Sequence, residues 1–210
     1  MADEEGRLST DDPNHRLILL RHGETDWSRD KKHTGRTDIE LNAVGERQAL
    51  ELAGALSQLR PELVLSSPKE RARRTAELAG LSDVVTDPDL VEWDYGDFEG
   101  ITTAEIREQG RPDWTIWTGG VPHGEHIEDV SRRVDRIVDR IREAITRGDV
   151  VVVGHGHANR IVAARWIELP PTAGEHLWLD TGTVCVLGFE HGHPAILRWN
   201  LPPASAGEVL

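Results

Sequence analysis

Two apolar runs of the sequence end in the same pair of residues, a histidine followed by a glycine. LILLRHG brings His22 and Gly23 after Arg21, and VVVVGHG ends at His155 and Gly156. Short apolar runs broken by glycine are typical of buried parallel strands. The carboxyl ends of parallel strands meet at one edge of a sheet, where ligands bind. We therefore predict that His22 and His155 lie close together at such an edge.

Basic residues near these histidines predict a pocket for an anion. Arg21 precedes His22, and Arg71 lies in SSPKERARRTA, where a strand is followed by a helix. The free N–H groups and the dipole of a helix N-terminus favour an anion there. Arginine binds phosphoryl oxygens through paired hydrogen bonds. With a protonatable His155, these groups predict a phosphate pocket.

One histidine and one carboxyl group are candidates for the reaction itself. A histidine can be a nucleophile when one ring nitrogen is free and a hydrogen bond to the other fixes the tautomer. We predict this role for His22, with a phosphohistidine intermediate. The leaving oxygen then needs a proton, which Glu92 in LVEWDYGDFEG is placed to donate. The same stretch holds three further carboxyl groups that are alternatives for this role: Asp94, Asp97 and Glu99.

Alternating strands and helices are predicted to hold these residues in place. The strands are expected at residues 16–20, at ELVLSS, near Val84, at DVVVVG, and in a closing hairpin of residues 183–189 and 195–199. Between them, Ser67, Pro68 and Glu70 have the spacing of a capping box that begins a helix. The alternation predicts an α/β fold, a three-layer α/β/α sandwich whose mostly parallel central sheet has an antiparallel edge strand.

The length and charge of the chain limit its organisation and its partners. At 210 residues we predict one catalytic domain at 15–202, between a disordered acidic tail at 1–14 and a C-terminal tail at 203–210. The formal net charge of −13 argues against a nucleic acid or an anionic membrane as partner. The single cysteine, Cys185, is predicted to be buried in a strand. With no signal peptide visible, these features predict a cytoplasmic protein.

Five motifs, in order, resemble those of the histidine phosphatase superfamily, also called phosphoglycerate-mutase-like, over nearly all of residues 16–199. They are LLRHGETDW, HTGRTDIELNAVGERQA, SSPKERARRTA, EWDYGDFEG and VVVGHGHANR. The resemblance implies a phosphate pocket of Arg21, Arg71 and His155, with His22 as the phosphorylated nucleophile and Glu92 as the proton donor. It also implies contacts with substrate at five further positions: Ser28, Thr34, Gly35, Gly156 and His157. Ser28 stands where many members have Asn, and His157 where Gly is commoner.

The resemblance is greatest to small broad-specificity acid phosphatases. It implies a phosphomonoesterase that acts on small organic phosphate esters without a cofactor, and it leaves a homodimer open. Residues 100–128 are short compared with the insertion of the mutases, which favours hydrolysis. His155 and His157 lack accompanying Asp or Cys ligands, so no metal site is predicted. Free pKa values of ~4.3 for Glu and ~6.5 for His predict an optimum between about pH 5 and 6.5.

Two other functions remain as alternatives, a phosphoglycerate mutase and a phosphate-binding regulatory protein without turnover. A mutase would isomerise phosphoglycerates faster than it hydrolyses them. A binding protein would need no nucleophile, so the set of residues around His22 argues against it.

The tryptophans divide into two predicted groups. Trp27, Trp114 and Trp117 are candidates for the pocket wall, where they would suit an aromatic leaving group. Large aromatic side chains are more often part of the core. This is the prediction for the remaining candidates, Trp166, Trp178 and Trp199.

Overall fold

A computed structural model describes residues 15–210, so the predicted tail at residues 1–14 lies outside the described residues. The strands are β1 (Leu17–Arg21), β2 (Leu63–Ser66), β3 (Val85–Thr86), β4 (Val150–Gly154), β5 (Val184–Glu190) and β6 (His193–Leu201). The helices are α1 (Asp26–Arg29), α2 (Ala43–Leu56), α3 (Glu70–Leu78), α4 (Thr103–Glu108), α5 (Ile127–Ala144), α6 (Gly156–Trp166) and α7 (Pro203–Ala206). Short 3₁₀ helices lie at Pro88–Leu90, Gly96–Phe98 and Pro171–His176.

The six strands form one sheet in the order β3-β2-β4-β1-β5-β6. The pairings among β1 to β4 are parallel, whereas β5 pairs antiparallel with both β1 and β6. The predicted mostly parallel sheet with an antiparallel edge is therefore confirmed.

The centre of the sheet is the point at which the chain changes direction. It leaves β1 towards β2 on one side and leaves β4 towards β5 on the other. Arg21 at the end of β1 is paired with Gly154 at the end of β4. Open α/β sheets bind their ligands at such a switch point. His22 and His155, the next residues along each chain segment, thus lie at the expected place.

Helices cover both faces of the sheet and form two separate cores. Leu17 and Leu19 of β1 face the side covered by α5 and α6, and Ile18 and Leu20 face the side covered by α2 and α3. This alternation follows from the two-residue period of a strand. The three-layer sandwich is confirmed, and Cys185 is buried in β5 as predicted.

The capping box predicted at Ser67 and Glu70 is wrong. The helix α3 begins at Glu70, its N-cap is Lys69, and no side chain caps it. The Ser67 hydroxyl instead lies 2.7 Å from Nε2 of His155, which comes from a distant part of the sequence. The hydroxyl also accepts a local hydrogen bond of 3.3 Å from the N–H of Lys69, the residue before the helix.

Residues 203–210 pack on the domain rather than extending from it as a tail. They include α7, in which Ala206 is fully buried beside the core under α2. Arg16 Nη1 donates hydrogen bonds of 3.1 Å to the carbonyl oxygens of Val209 and Leu210. Within residues 15–210, no helix has the length and apolar character needed to cross a membrane.

Candidate active site

A cavity of about 800 Å³ opens at the carboxyl ends of β1 and β4. This volume lies within the range of ligand pockets. Seven of the ten predicted site residues line it: Arg21, His22, Ser28, Thr34, Glu92, Gly156 and His157. The other three, Gly35, Arg71 and His155, are not in its lining. The cavity therefore combines residues from both strand ends and from the loops between them.

His22 is held in the tautomer that a nucleophile requires. Its Nδ1 lies 2.7 Å from the carbonyl oxygen of Gly23, which can only accept, so Nδ1 carries the proton. Nε2 is therefore unprotonated, and it makes no hydrogen bond to any residue from 15 to 210. Burial and the positive charges of Arg71 and Arg21 lower the pKa of His22 well below 6.5. A free ring nitrogen thus faces the cavity.

Glu92 is fixed by three backbone donors. Its Oε1 accepts hydrogen bonds from the N–H groups of Trp93 and Ala158, and its Oε2 accepts one from His157, each 2.9 Å long. Ala158 and His157 belong to the first turn of α6, whose dipole favours a carboxyl group at that position. The carboxyl group is 7% exposed and lies in the cavity wall.

The three alternative carboxyl groups have other partners. Asp94 pairs with Arg36, Asp97 pairs with His123, and Glu99 accepts hydrogen bonds from the backbone of Gly35 and Thr37. Within the described residues, Glu92 is the one of the four carboxyl groups that lines the cavity.

Arg21, a residue of the cavity lining, has a buried hydrogen-bond donor without a partner. Its Nη1 donates to the carbonyl oxygen of Leu179 at 2.5 Å, whereas its buried Nε has no partner among residues 15–210. A buried charged donor without an acceptor is costly. A phosphoryl oxygen would supply that acceptor. Gly156 permits this position, because a Cβ there would lie 3.3 Å from Cζ of Arg21.

Arg71 is fully buried beside the cavity and is not part of its lining, and its place in the phosphate pocket stays a prediction. Its Nε donates to Nδ1 of His155 at 3.2 Å. Its terminal nitrogens donate to the carbonyl oxygens of Thr34, Gly35 and Thr37. Full burial of the guanidinium makes backbone carbonyls its nearest acceptors. Arg71 thus holds the loop of Thr34 and the ring of His155 in place.

His155 is fixed as a neutral ring beside His22, and the two ring centroids are 5.2 Å apart. Because arginine can only donate, Nδ1 of His155 accepts, and Nε2 donates to Ser67 at 2.7 Å. Burial and the charge of Arg71 lower the pKa of His155 well below 6.5. The predicted proximity of the two histidines is confirmed, and the role of His155 in a phosphate pocket stays a prediction.

The hydroxyl groups of Ser28 and Thr34 are used within their own loop. Ser28 Oγ donates to the carbonyl oxygen of Thr25 and accepts from its N–H, which caps α1. Thr34 Oγ1 donates to the carbonyl oxygen of Lys32 at 3.0 Å. Either hydroxyl would have to release this acceptor before it could donate to a substrate.

The predictions for three of the tryptophans are wrong. Trp114 and Trp117 are buried in the core, and Trp178 is exposed and lines the cavity. The indole of Trp114 donates to the carbonyl oxygen of Gly120 within its own loop, which turns the ring inward. The spacing of the tryptophans in the sequence did not indicate this orientation of the ring.

Several cavity residues were not predicted from the sequence. Tyr95 lies beside His157, and its Oη is 2.6 Å from Nδ1 of that ring. Its position in EWDYG, three residues after Glu92, was the available signal. Five basic side chains also line the cavity of this acidic chain, which favours an anionic substrate. They are Arg29, Lys31, Lys32, Arg107 and Arg160.

The buried neutral histidines predict a loss of stability in acid. The unfolded chain takes up a proton at each histidine near pH 6.5, whereas folded His22 and His155 do so only well below it. The contribution of these histidines to the free energy of unfolding is therefore fully present above pH 6.5. As the pH decreases from 6.5, the free energy of unfolding decreases by roughly 1 kcal/mol per pH unit for each histidine. Urea unfolding between pH 7.5 and 5 measures this slope. His155→Gln is expected to reduce it, whereas the exposed control His193→Gln is not; equal slopes in all three proteins would contradict the assignment.

Comparison with known proteins agrees with this geometry. The sequence profile described as the histidine phosphatase superfamily (branch 1) matches residues 17–202. The chain is 46% identical over 182 residues to an acid phosphatase of Mycobacterium tuberculosis, which covers 85% of this chain and 89% of that protein. It is 37% identical over 185 residues to sedoheptulose 1,7-bisphosphatase of Saccharomyces cerevisiae, over 73% and 68% of the two chains. A solved structure of an open reading frame from Mycobacterium tuberculosis has a TM-score of 0.84 and 44% identity, over 90% of this chain and 99% of that one.

Proposed function

Because the chain belongs to the histidine phosphatase superfamily, we propose that it hydrolyses small organic phosphate monoesters through a phosphohistidine on His22, without a metal ion. The observation that carries this proposal is the free Nε2 of His22, whose tautomer is fixed by the carbonyl oxygen of Gly23. Such a nitrogen in a cavity that also holds Arg21 and Glu92 has the chemistry of a phosphoryl acceptor.

The reaction has two steps. In the first, the Nε2 lone pair of His22 forms a bond to phosphorus while the bond from phosphorus to the ester oxygen breaks. The carboxylic acid of Glu92 gives its proton to that oxygen, so the alcohol leaves neutral. In the second step the Glu92 carboxylate takes a proton from water, whose oxygen attacks phosphorus. The P–N bond breaks, its electron pair returns to Nε2, and inorganic phosphate is released.

The remaining site residues have supporting roles in this proposal. Arg21 binds the phosphoryl oxygens through its unpartnered Nε. Arg71 and His155 stay proposed members of the phosphate pocket, and both are fully buried at its edge. Four cavity residues stay candidates for contacts with the rest of the substrate: Ser28, Thr34, Gly156 and His157. Gly35 stays a candidate for a contact through its backbone.

A phosphoglycerate mutase is the second candidate function. The observation in its favour is Arg107, a basic side chain of α4 that lines the cavity and would suit a substrate carboxylate. Isomerisation of phosphoglycerates faster than their hydrolysis would support this candidate.

The test is phosphate release from aryl, sugar, nucleotide and phosphoglycerate esters, measured with and without a chelating agent. We expect release that chelation does not change. Residues 15–210 hold no cluster of three or more His, Cys, Asp or Glu side chains suited to a metal ion. Loss of activity on chelation would contradict metal independence, and no release from any ester would contradict the proposed function.

The acid limb of the pH profile is expected well below pH 6.5. Burial and the charges of Arg71 and Arg21 lower the pKa of His22, so the nucleophile stays unprotonated as the pH falls through 6.5. The measurement is kcat/KM against pH, corrected for ionisation of the substrate. A limb centred at pH 6.5 or above would show that His22 titrates as a free histidine does.

A further inference from the structure

Trp178 is a large apolar side chain exposed at the cavity. Its exposed fraction is 68%, the highest among the exposed large hydrophobic residues in the part of the chain that the structure describes. The other members of that group, Val44, Leu50, Val85 and Leu169, do not line the cavity, whereas Trp178 does. Aromatic side chains in the wall of a cavity are typical of contacts with a ligand.

The indole ring is held in one orientation before any ligand binds. Its Nε1 donates to Oδ1 of Asp180 at 2.9 Å, and the carbonyl oxygen of Trp178 accepts from Nε1 of Trp199 at 2.5 Å. The first hydrogen bond holds the indole ring, and the second holds the backbone of Trp178. The apolar face of the ring remains free.

Asn200 fixes the partner of the indole. Asp180 Oδ2 accepts from the Asn200 side chain at 2.9 Å, and the Asp180 N–H donates to Asn200 Oδ1 at 2.8 Å. Asn200 has a φ of +57°, in the left-handed region that Asn adopts more readily than most residues. Its two hydrogen bonds orient Asp180, and through Asp180 the ring of Trp178.

The ring lies in the wall of the same cavity as Arg21 and His22. Leu179, the next residue, accepts the hydrogen bond from Nη1 of Arg21, and neighbouring Cα atoms are about 3.8 Å apart. The cavity of about 800 Å³ is also much larger than a phosphoryl group needs. Space therefore remains beside the reacting atoms for the alcohol half of an ester.

We infer that Trp178 is a stacking platform that selects phosphate esters whose alcohol half carries a planar aromatic ring. This inference rests on the proposed phosphatase function and assigns the substrate class of the same site. The free indole face supplies the contact, and the hydrogen bonds to Asp180 and Trp199 reduce the entropy lost when a ring stacks on it.

The test uses a pair of esters that differ at C1 of the ribose. Adenosine 5′-monophosphate carries the aromatic base adenine there, and ribose 5-phosphate carries a hydroxyl group. Both release a primary alcohol of the same sugar, so the chemistry of bond cleavage is matched. Stacking on an aromatic side chain strengthens binding of each base, so Trp178→Ala is expected to lower kcat/KM for the nucleotide about tenfold. We expect the loss as a higher KM with kcat unchanged, and less than about a twofold change for ribose 5-phosphate.

Two further variants separate stacking from packing. Trp178→Phe retains an aromatic face and is expected to keep most of the preference for the nucleotide. Trp178→Leu retains apolar volume without an aromatic face and is expected to behave as Trp178→Ala does. Equal losses for both esters, or no loss for either, would overturn the inference.

A binding measurement separates this inference from the proposed function. In His22→Ala, which removes the proposed nucleophile, calorimetry compares the affinities for the same two phosphate esters. We expect the nucleotide to bind about tenfold more tightly, and we expect Trp178→Ala added to His22→Ala to abolish the difference. If the wild-type protein releases phosphate from no ester, the proposed function fails, while this comparison still decides the role of Trp178. Equal affinities in His22→Ala would overturn the inference even if hydrolysis is found.

Discussion

His22→Ala is expected to lower kcat for phosphate release by on the order of 10⁴-fold or more. The change removes Nε2, the proposed acceptor of the phosphoryl group, and the ring nitrogens of neighbouring His155 are both engaged. Nδ1 of neighbouring His155 accepts from Arg71, and its Nε2 donates to Ser67. The measurement is steady-state phosphate release from an aryl ester and from an alkyl ester.

The control for this variant is His191→Ala, an exposed histidine on the hairpin between β5 and β6. It is expected to keep wild-type rates. Binding of inorganic phosphate is expected to persist in His22→Ala, because Arg21 and its unpartnered Nε are unchanged. A His22→Ala protein that binds phosphate and retains a tenth or more of the activity would show that the nucleophile lies elsewhere.

Glu92→Gln is expected to lower kcat for alkyl esters by about 10²- to 10⁴-fold, the usual contribution of a general acid. The loss for 4-nitrophenyl phosphate is expected to be much smaller, because nitrophenolate leaves without a proton. The amide also faces the N–H of His157 with a donor in place of an acceptor. We therefore expect a stability loss of about 1–3 kcal/mol in thermal unfolding.

The dependence on the leaving group separates chemistry from folding. A structural defect would reduce activity on both classes of ester alike, whereas loss of a proton donor affects the alkyl esters selectively. Asp97→Asn is the matched control, since Asp97 pairs with the exposed His123 and does not line the cavity. Equal losses on both esters in Glu92→Gln would remove Glu92 from the role of proton donor.

Features set by neighbouring residues were predicted correctly from the sequence. The apolar runs before His22 and His155 specify buried parallel strands, and parallel strands bring their carboxyl ends together. This arrangement of the strands was enough to predict that the two histidines lie close together and that the cavity lies beside them. The choice of Glu92 over Asp94, by contrast, depended on the resemblance to a family, since local pattern does not distinguish two carboxyl groups on one loop.

Features set by long-range hydrogen bonds could not be predicted. Ser67 has the spacing of a helix cap, but its hydroxyl is bound by His155, 88 residues away. The hydrogen bonds of Arg71 to the carbonyl groups of the loop of Thr34 were not predicted, because that loop is a separate segment of the chain. Trp178 resembles a core residue in the sequence, and its exposure depends on contacts with Asp180 and on the distant Trp199.

The most direct test of the central claim is rapid-quench trapping with an ester that carries ³²P in its phosphoryl group. The account predicts an acid-labile, base-stable phosphoryl label on a peptide that contains His22, formed and lost at rates consistent with turnover. The same experiment with His22→Ala is expected to yield no labelled protein. Turnover without any labelled intermediate, or a label that remains in His22→Ala, would contradict the phosphohistidine mechanism.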